Sequence, residues 1–96
     1  MRPLFQLDPR LMECASLVKE GAAVADIGTD HAYLPVWLAR KGQISHAIAC
    51  DIREGPLERA VEHIEKYQVS SMVEARLSDG LENIRPHEVD TVVIAG

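Results

Sequence analysis

The sequence has little of several features that mark particular protein classes. Its two cysteines, Cys14 and Cys50, fall in a predicted helix and a predicted strand, which favours reduced thiols over a disulfide framework. The 10 Lys and Arg residues are outnumbered by 15 Asp and Glu, so the net charge of −5 provides no uniform basic field for a polyanion. Every apolar run is shorter than the roughly 18 residues of a membrane span, and the first residues lack the pattern of a signal peptide. We therefore expect a cytoplasmic protein without membrane contact.

The chain does contain short apolar runs that alternate with amphipathic segments. The apolar runs, each predicted as a buried parallel strand, are residues 22–28, 45–52, 72–80 and 89–96. The predicted helices are residues 9–20, 32–42 and 55–68. Asp8 is the expected N-cap of the first helix, with Pro9 at its first position and Gly21 as its stop. Pro56 is the expected start of the third helix.

This alternation predicts an α/β fold, a doubly wound Rossmann-like sheet with right-handed crossovers and strand order 3-2-1-4. With 47% hydrophobic residues, the chain has enough apolar surface for one domain, residues 1–96. Val92, Val93 and Ile94 form an unbroken apolar run in the fourth strand. That run predicts a central strand covered on both faces.

Three of the predicted strands end in an acid. Asp26, Asp51 and Asp79 each precede a turn, and in doubly wound sheets ligands bind beyond the carboxyl ends of the strands, where strand order reverses. Each acid alone could equally be the N-cap of the helix that follows. Three acids at one edge favour a shared binding crevice.

The loop after the first strand resembles a dinucleotide-binding glycine loop that retains one of its glycines. Gly28 is present, but Asp30 and Tyr33 occupy the other two glycine positions. A carboxylate beside a pyrophosphate is disfavoured by about 1–4 kcal/mol at surface-like dielectric constants. The loop therefore favours a ligand without phosphate and with positive charge, of which S-adenosylmethionine is an example.

The segments "DIGTDHAYLP", "CDI", "SDGL" and the final "IAG" resemble the TrmK family. Members of that family are S-adenosylmethionine-dependent tRNA methyltransferases that act on N1 of adenine at tRNA position 22. The resemblance covers essentially the whole chain and implies a Rossmann-like methyltransferase sheet, here ending after the fourth parallel strand. It also implies S-adenosyl-L-methionine as cofactor.

The resemblance assigns roles to residues that match the family's motifs. Asp51 would hold the ribose hydroxyls, and Asp79 with Gly80 would meet the adenine. The residues that would line the methionine part are Asp26, Gly28, Thr29, Asp30 and His31. Catalytic residues are not identified, because adenine N1 has a free lone pair and direct in-line displacement requires no strong base.

In the family, further strands and RNA-facing helices follow the position of Gly96. We therefore expect this chain to be the N-terminal, cofactor-binding part, which binds tRNA through a missing C-terminal region. The piece alone is expected to be inactive, and its exposed apolar edge is expected to promote self-association.

Two other functions remain open from the residues alone. A nicotinamide or flavin oxidoreductase could use the same sheet, although the loss of glycines counts against it. A non-catalytic assembly module could use the edge of the sheet as an interface. No metal is expected, because the remaining histidines have no ligand spacing and are predicted to be solvated or at strand edges; they are His46, His63 and His87.

Overall fold

A computed structural model describes residues 2–95, which form one four-stranded sheet with helices packed against it. The strands are β1 (Ala22–Ile27), β2 (Ile44–Asp51), β3 (Val73–Leu77) and β4 (Thr91–Ile94). Every neighbouring pair is parallel, and the order is β3-β2-β1-β4. The structure confirms the predicted α/β fold class and strand order.

The helices are α1 (Pro9–Leu17), α2 (Tyr33–Arg40) and α3 (Glu54–Lys66). Asp8 caps α1 as predicted, since its Oδ1 accepts a hydrogen bond of 2.8 Å from the Leu11 N–H. The predicted end of α1 was wrong: the backbone is already extended at Val18, and Gly21, with φ of +81°, forms the turn into β1. The predicted start of α3 at Pro56 was wrong, since the helix begins two residues earlier at Glu54; a proline in the first turn removes no helical hydrogen bond, so its presence does not fix the first position.

The helices and the sheet enclose one apolar core. Helix α2 contacts both α1 and α3 as well as the sheet, so the three helices share one face. The core is built by small and branched side chains, and its largest fully buried members include Leu34, Leu38, Val24 and Val36. Both cysteines are free, and burial raises the pKa of the Cys50 thiol to about 11.

The other face of the sheet is covered near β3 by a polar network. Arg76 faces the neighbouring Cys50 in the β2–β3 ladder. Its guanidinium makes two hydrogen bonds, of 2.8 and 2.7 Å, with the carboxylate of Glu88 and one of 2.9 Å with Glu74. The bonds from Arg76, together with one from the Arg85 N–H, lower the pKa of Glu88 to about 2. The network fixes the segment that leads from β3 into β4.

Strand β4 contradicts the prediction that it is covered on both faces. Val93 is 9% exposed and packs on the helical side, whereas Val92 is 42% and Ile94 is 75% exposed. Within residues 2–95, β4 pairs with β1 alone and is an edge of the sheet. An apolar run shows that a strand can be buried, but coverage depends on which elements pack against it.

Candidate functional site at the carboxyl ends of β1 and β2

Parallel pairing brings the carboxyl ends of β1 and β2 to one edge of the sheet. Ile27 lies beside Cys50 in the ladder, so Asp26 near the end of β1 and Asp51 at the end of β2 are close in space. The side chains of both acids are almost fully buried, with residue exposures of 5% and 4%. Buried carboxylates need hydrogen-bond partners. The loop after β1 supplies them.

The loop of residues 28–32 connects these two carboxylates. The Thr29 hydroxyl donates a hydrogen bond of 2.8 Å to Oδ2 of Asp26, and the Thr29 N–H donates to the Cys50 carbonyl at 2.8 Å. The Asp30 N–H donates to Oδ2 of Asp51 at 3.3 Å. Oδ1 of Asp51 accepts a second bond, of 3.1 Å, from the Arg53 N–H. The loop is therefore held against the ends of both strands.

The backbone of this loop explains why an aspartate can replace a glycine. Gly28, Asp30 and Ala32 all have positive φ, at +71°, +57° and +59°. Aspartate tolerates the left-handed conformation better than most residues, so the glycine position of the motif accepts Asp30. Ala32 has no such advantage, and its left-handed backbone stores strain directly before α2.

The electrostatics of the site centre on Asp26. Burial raises the pKa of Asp26 from 3.8 to about 6, the Thr29 hydroxyl lowers it, and the nearby Asp51 raises it further. The two buried carboxylates create a negative potential, which the exposed Arg53 guanidinium offsets from the side of Asp51, with its Nε 3.7 Å from Oδ1 of that residue. A positively charged or hydroxyl-bearing ligand would relieve that potential, whereas a phosphate would increase it.

A cavity of about 210 Å³ opens beside these residues. Asp26, Gly28, Thr29 and Asp30 line it. Larger cavities of about 540 and 350 Å³ lie at the opposite end, next to residues at the amino ends of the strands. Ligands of doubly wound sheets bind at the carboxyl ends, so the smaller cavity is the candidate site.

His31 adjoins the cavity without lining it. Its Nδ1 lies 3.1 Å from Oδ2 of Asp30, but the geometry does not make a hydrogen bond. Its ring stacks on Tyr33, with centroids 5.2 Å apart and planes at 18°, and lies 5.6 Å from the ring of His63. The prediction that His63 is solvated or at a strand edge was therefore wrong: it lies on α3 in an aromatic cluster, and burial lowers its pKa.

The structure does not bring the third acid into the cavity. Strand β3 ends at Leu77, and Asp79 is exposed in the turn that follows, with no hydrogen bond to its side chain among residues 2–95. The buried residue of this turn is Ser78, whose hydroxyl donates to the Gly80 carbonyl at 2.7 Å and accepts from the Asn83 N–H at 3.1 Å. Asp79 and Gly80 lie beyond the end of β3, at the same edge of the sheet.

The sequence interpretation also missed residues that line the cavity from outside the loop. Asp8 and Arg10 come from the start of α1, and Tyr33 comes from the first turn of α2. The capping pattern located Asp8 at the start of a helix, but no sequence signal showed that this helix begins beside β1.

Within the described residues 2–95, no group of three or more His, Cys, Asp or Glu side chains is arranged to hold a metal ion. No helix in the described part of the chain is long and apolar enough to cross a membrane.

Comparison with known families agrees with this geometry. The family model described as "Methyltransferase domain" matches residues 7–96. A tRNA (adenine(22)-N(1))-methyltransferase of Bacillus subtilis (strain 168) is 42% identical over 92 residues, which cover 96% of this chain and 39% of the relative.

Two solved structures show the same fold with cofactors bound. TrmK of M. capricolum, in complex with S-adenosyl-homocysteine, is 41% identical with a TM-score of 0.86, covering 92% of this chain and 40% of that one. Sp1610 of Streptococcus pneumoniae, in complex with S-adenosyl-L-methionine, is 39% identical with a TM-score of 0.90, covering 95% of this chain and 43% of that one. The chain thus spans about two fifths of the length of these relatives.

Proposed function

The chain belongs to the methyltransferase domain family, and from this premise we propose that it is the cofactor-binding part of a tRNA methyltransferase. The cofactor is S-adenosyl-L-methionine, and the reaction is methylation of N1 of an adenine at tRNA position 22. The observation that carries the proposal is the pair of buried, hydrogen-bonded carboxylates, Asp26 and Asp51, beside a small cavity at the switch in strand order. The similarity to the Bacillus subtilis enzyme supports the choice of substrate.

The residues of the cavity fit the methionine end of this cofactor. The carboxylates of Asp26 and Asp30 match its ammonium group, and a Cβ at Gly28 would meet no atom within 4 Å, which leaves open space at the loop. Thr29 orients Asp26, and His31 borders the loop from the side of α2. We assign these five residues to the methionine part.

Asp51 fits the ribose. Its two oxygens already accept bonds from the loop after β1 and from the Arg53 N–H, and a carboxylate has further lone pairs for a pair of hydroxyl groups. We assign Asp79 and Gly80, in the next turn along this edge, to the adenine. Beside Asp51 in sequence, Ile52 is 60% exposed and offers apolar surface to a flat base.

The proposed methyl transfer depends mainly on how the cofactor and the adenine are positioned relative to each other. When bound, the cofactor would supply a methyl group on its sulfonium; transfer to the lone pair of adenine N1 would break the S–CH3 bond and leave S-adenosyl-homocysteine as the neutral thioether. The described residues would hold the cofactor at fixed hydrogen-bonding groups, because the packed strand ends beneath Asp26 and Asp51 keep those groups in place. Such orientation lowers the barrier by replacing a random encounter with an arranged one.

The acidic charge of this chain supports a proposal about where tRNA binds. RNA affinity depends on Lys and Arg contacts to phosphates, and this chain carries a net charge of −5. We propose that the tRNA contacts lie mainly in a C-terminal region beyond these 96 residues, that residues 1–96 alone transfer no methyl group, and that the enzyme works in the cytoplasm.

We also propose that the isolated 96-residue chain associates with itself through β4. The support is the exposure of Val92 and Ile94 on a strand whose outer edge is unpaired in residues 2–95. Exposed apolar edge strands template pairing with another chain. Light scattering tests this: a monodisperse monomer would contradict it.

The test of the proposed function is transfer of labelled methyl from S-adenosyl-L-methionine to unmodified tRNA. The whole protein that carries this sequence is compared with residues 1–96, and the modified nucleoside is identified by mass spectrometry. We expect N1-methyladenine from the whole protein alone. Another modified nucleoside would refute the substrate, and binding of a nicotinamide dinucleotide in place of the methyl donor would favour the oxidoreductase alternative. Absence of any cofactor affinity would favour an assembly module.

A further inference from the structure

The ring of His63 connects helix α3 to the loop of residues 28–32. Its centroid lies 5.6 Å from that of His31 in the loop and 4.9 Å from that of Tyr33 in the first turn of α2. His31 in turn stacks on Tyr33, with centroids 5.2 Å apart. The three rings therefore join α3, α2 and the loop that borders the proposed cofactor site.

The two sides of this loop are held by different kinds of contact. On the side of the sheet, two backbone N–H groups of the loop donate to acceptors at the end of β2. On the side of the helices, Nδ1 of His31 is buried and has no hydrogen-bond partner within residues 2–95. The His31 side chain is held there by the packing of its ring against Tyr33 and His63.

The backbone of the loop needs this support because it is strained. Three of its five residues, Gly28, Asp30 and Ala32, have positive φ. Ala32 has neither the freedom of glycine nor the side-chain oxygen of aspartate, and such a conformation persists only where the surrounding structure enforces it. Ala32 directly follows His31, so the rings that fix His31 also restrain the strained residue. Loss of this packing would let the loop relax.

The surroundings of His63 suit a neutral ring. Its Nδ1 is buried without a hydrogen-bond partner in the described part of the chain, so a proton there would be an unpaired donor. Burial lowers the pKa of His63 from its ordinary value of 6.5, and the nearby His31 and Lys66 lower it further. The folded chain therefore binds this proton less tightly than the unfolded chain. The stabilising contribution of the ring is complete above about pH 6.5 and is lost as the pH falls.

Several titratable or charged groups surround the three rings and belong to any account of their pH dependence. They are Asp30 and His31 from the loop, Tyr33 and Arg40 from α2, and Glu62, Lys66 and Tyr67 from α3.

We infer that His63 is a positioning residue: its neutral ring holds His31, and through it the loop of residues 28–32, in the conformation that binds the cofactor. The inference rests on the proposed function, and it makes cofactor binding depend on a residue of α3 that does not line the cavity. A residue that acts through packing alone should be replaceable by another aromatic ring that carries no charge.

Two substitutions of His63 in the whole protein separate the ring from its nitrogens. In calorimetric titrations at pH 7.5, His63→Ala should weaken binding of S-adenosyl-homocysteine about threefold to tenfold, the range for the loss of one aromatic pair. His63→Phe keeps an aromatic ring and should bind within about twofold of the wild type. A loss in His63→Phe as large as that in His63→Ala would overturn the inference.

Ile64→Val is the matched control for stability. Ile64 is the next residue of α3, is 4% exposed and belongs to the apolar core. Removing one of its methylene groups lowers stability without touching the rings. The affinity of this variant should be unchanged, whereas a loss equal to that of His63→Ala would show that the effect is one of general stability.

Amide hydrogen exchange of the ligand-free protein tests the positioning without the cofactor. In His63→Ala, the N–H groups of Thr29 and Asp30 should exchange about threefold to tenfold faster than in the wild type, because the loop opens more often. Ile64→Val should leave these two rates unchanged. Wild-type exchange rates in His63→Ala would show that the ring does not hold the loop.

The pH dependence gives a readout that packing alone would not move. Between pH 7.5 and 5.5, the affinity of the wild type should fall about threefold more than that of His63→Phe, because only the wild type can be protonated at this position. Asp26 also titrates in this range, but it does so in both proteins, and the difference between them reports on His63. Parallel pH profiles would contradict the need for a neutral histidine ring.

The outcomes separate the inference from the function beneath it. Faster exchange in His63→Ala with unchanged affinity would overturn the role of His63 in cofactor binding and leave the proposed function intact. A wild-type protein that does not bind S-adenosyl-homocysteine would overturn the proposed function and the cofactor role of His63 with it.

Discussion

Asp51 and Asp79 hold the same place in the sequence pattern, at or just after the end of a strand, yet the structure gives them different surroundings. Asp51 is 4% exposed and accepts two backbone N–H bonds, one of them from the loop after the neighbouring strand. Asp79 is exposed, and the bonds of its turn are made by Ser78. The position of an acid after a strand therefore does not determine its role. A neighbouring loop that supplies donors makes the acid part of a fixed site.

The largest expected effect is that of Asp51→Ala. The substitution leaves the N–H groups of Asp30 and Arg53 without their acceptor and removes the proposed ribose ligand. We expect cofactor binding to weaken by about 1–3 kcal/mol, with a stability loss of similar size, the range for buried groups left unpaired. Calorimetric titration and urea denaturation measure the two effects. Unchanged affinity would remove Asp51 from the ribose role.

The second effect concerns the pH dependence of stability at the end of β1. The pKa of Asp26 is raised from 3.8 to about 6 in the folded state, so the folded chain binds this proton more tightly than the unfolded chain does. The stabilising contribution is complete below about pH 4 and is lost as the pH rises through about 6. The asparagine side chain of Asp26→Asn does not ionise, so the variant does not lose this contribution as the pH rises. Its free energy of unfolding at pH 7.5 should exceed that of the wild type by about 1–3 kcal/mol.

The measurement for Asp26→Asn is the difference in unfolding free energy between variant and wild type at several pH values. That difference should grow between pH 4 and 7, because the other titrating groups are common to both proteins. At the same time, the variant should bind S-adenosyl-homocysteine more weakly at pH 7.5, since the ammonium loses its carboxylate. A difference that is constant with pH would show that Asp26 does not titrate in this window.

Ser78→Ala examines the turn after β3. The Ser78 hydroxyl donates a hydrogen bond to the Gly80 carbonyl and accepts one from the Asn83 N–H, and Ser78 is 3% exposed. Removing it should cost about 1 kcal/mol of stability, measured by urea denaturation. An exposed serine such as Ser70 provides the control. A loss no larger than that of the control would mean that the turn is held by other contacts.

The smallest effect is that of Asp79→Ala. The exposed side chain makes no hydrogen bond in the described residues, so stability should change by less than about 0.5 kcal/mol. Cofactor affinity should still fall by about 0.5–1.5 kcal/mol if the carboxylate meets the adenine amino group. Unchanged cofactor affinity would show that Asp79 does not contact the adenine. Asp79 would then differ from Asp51 in its binding role as well as in its burial.

Two sequence-based predictions, the coverage of β4 and the surroundings of His63, were contradicted by the structure. The run of Val92, Val93 and Ile94 predicted a strand correctly, but its coverage was wrong because an apolar run does not say what packs on each face. His63 was predicted to be solvated or at a strand edge because it has no ligand spacing, whereas the centroid of its ring lies 4.9 Å from that of Tyr33. Both errors concern contacts between segments that are distant in sequence.

The amino-acid pattern alone is enough to predict the order and type of the elements, the parallel sheet and the acids at the strand ends. Those features follow from apolar periodicity, from the Asp8 cap and from turn residues, all of which act between neighbours in the chain. Packing in three dimensions is needed to see which acids are buried, why Asp26 has a raised pKa, and that Arg10 reaches the same cavity. Burial and electrostatics depend on every group that surrounds a side chain in space, and most of those groups come from distant parts of the sequence.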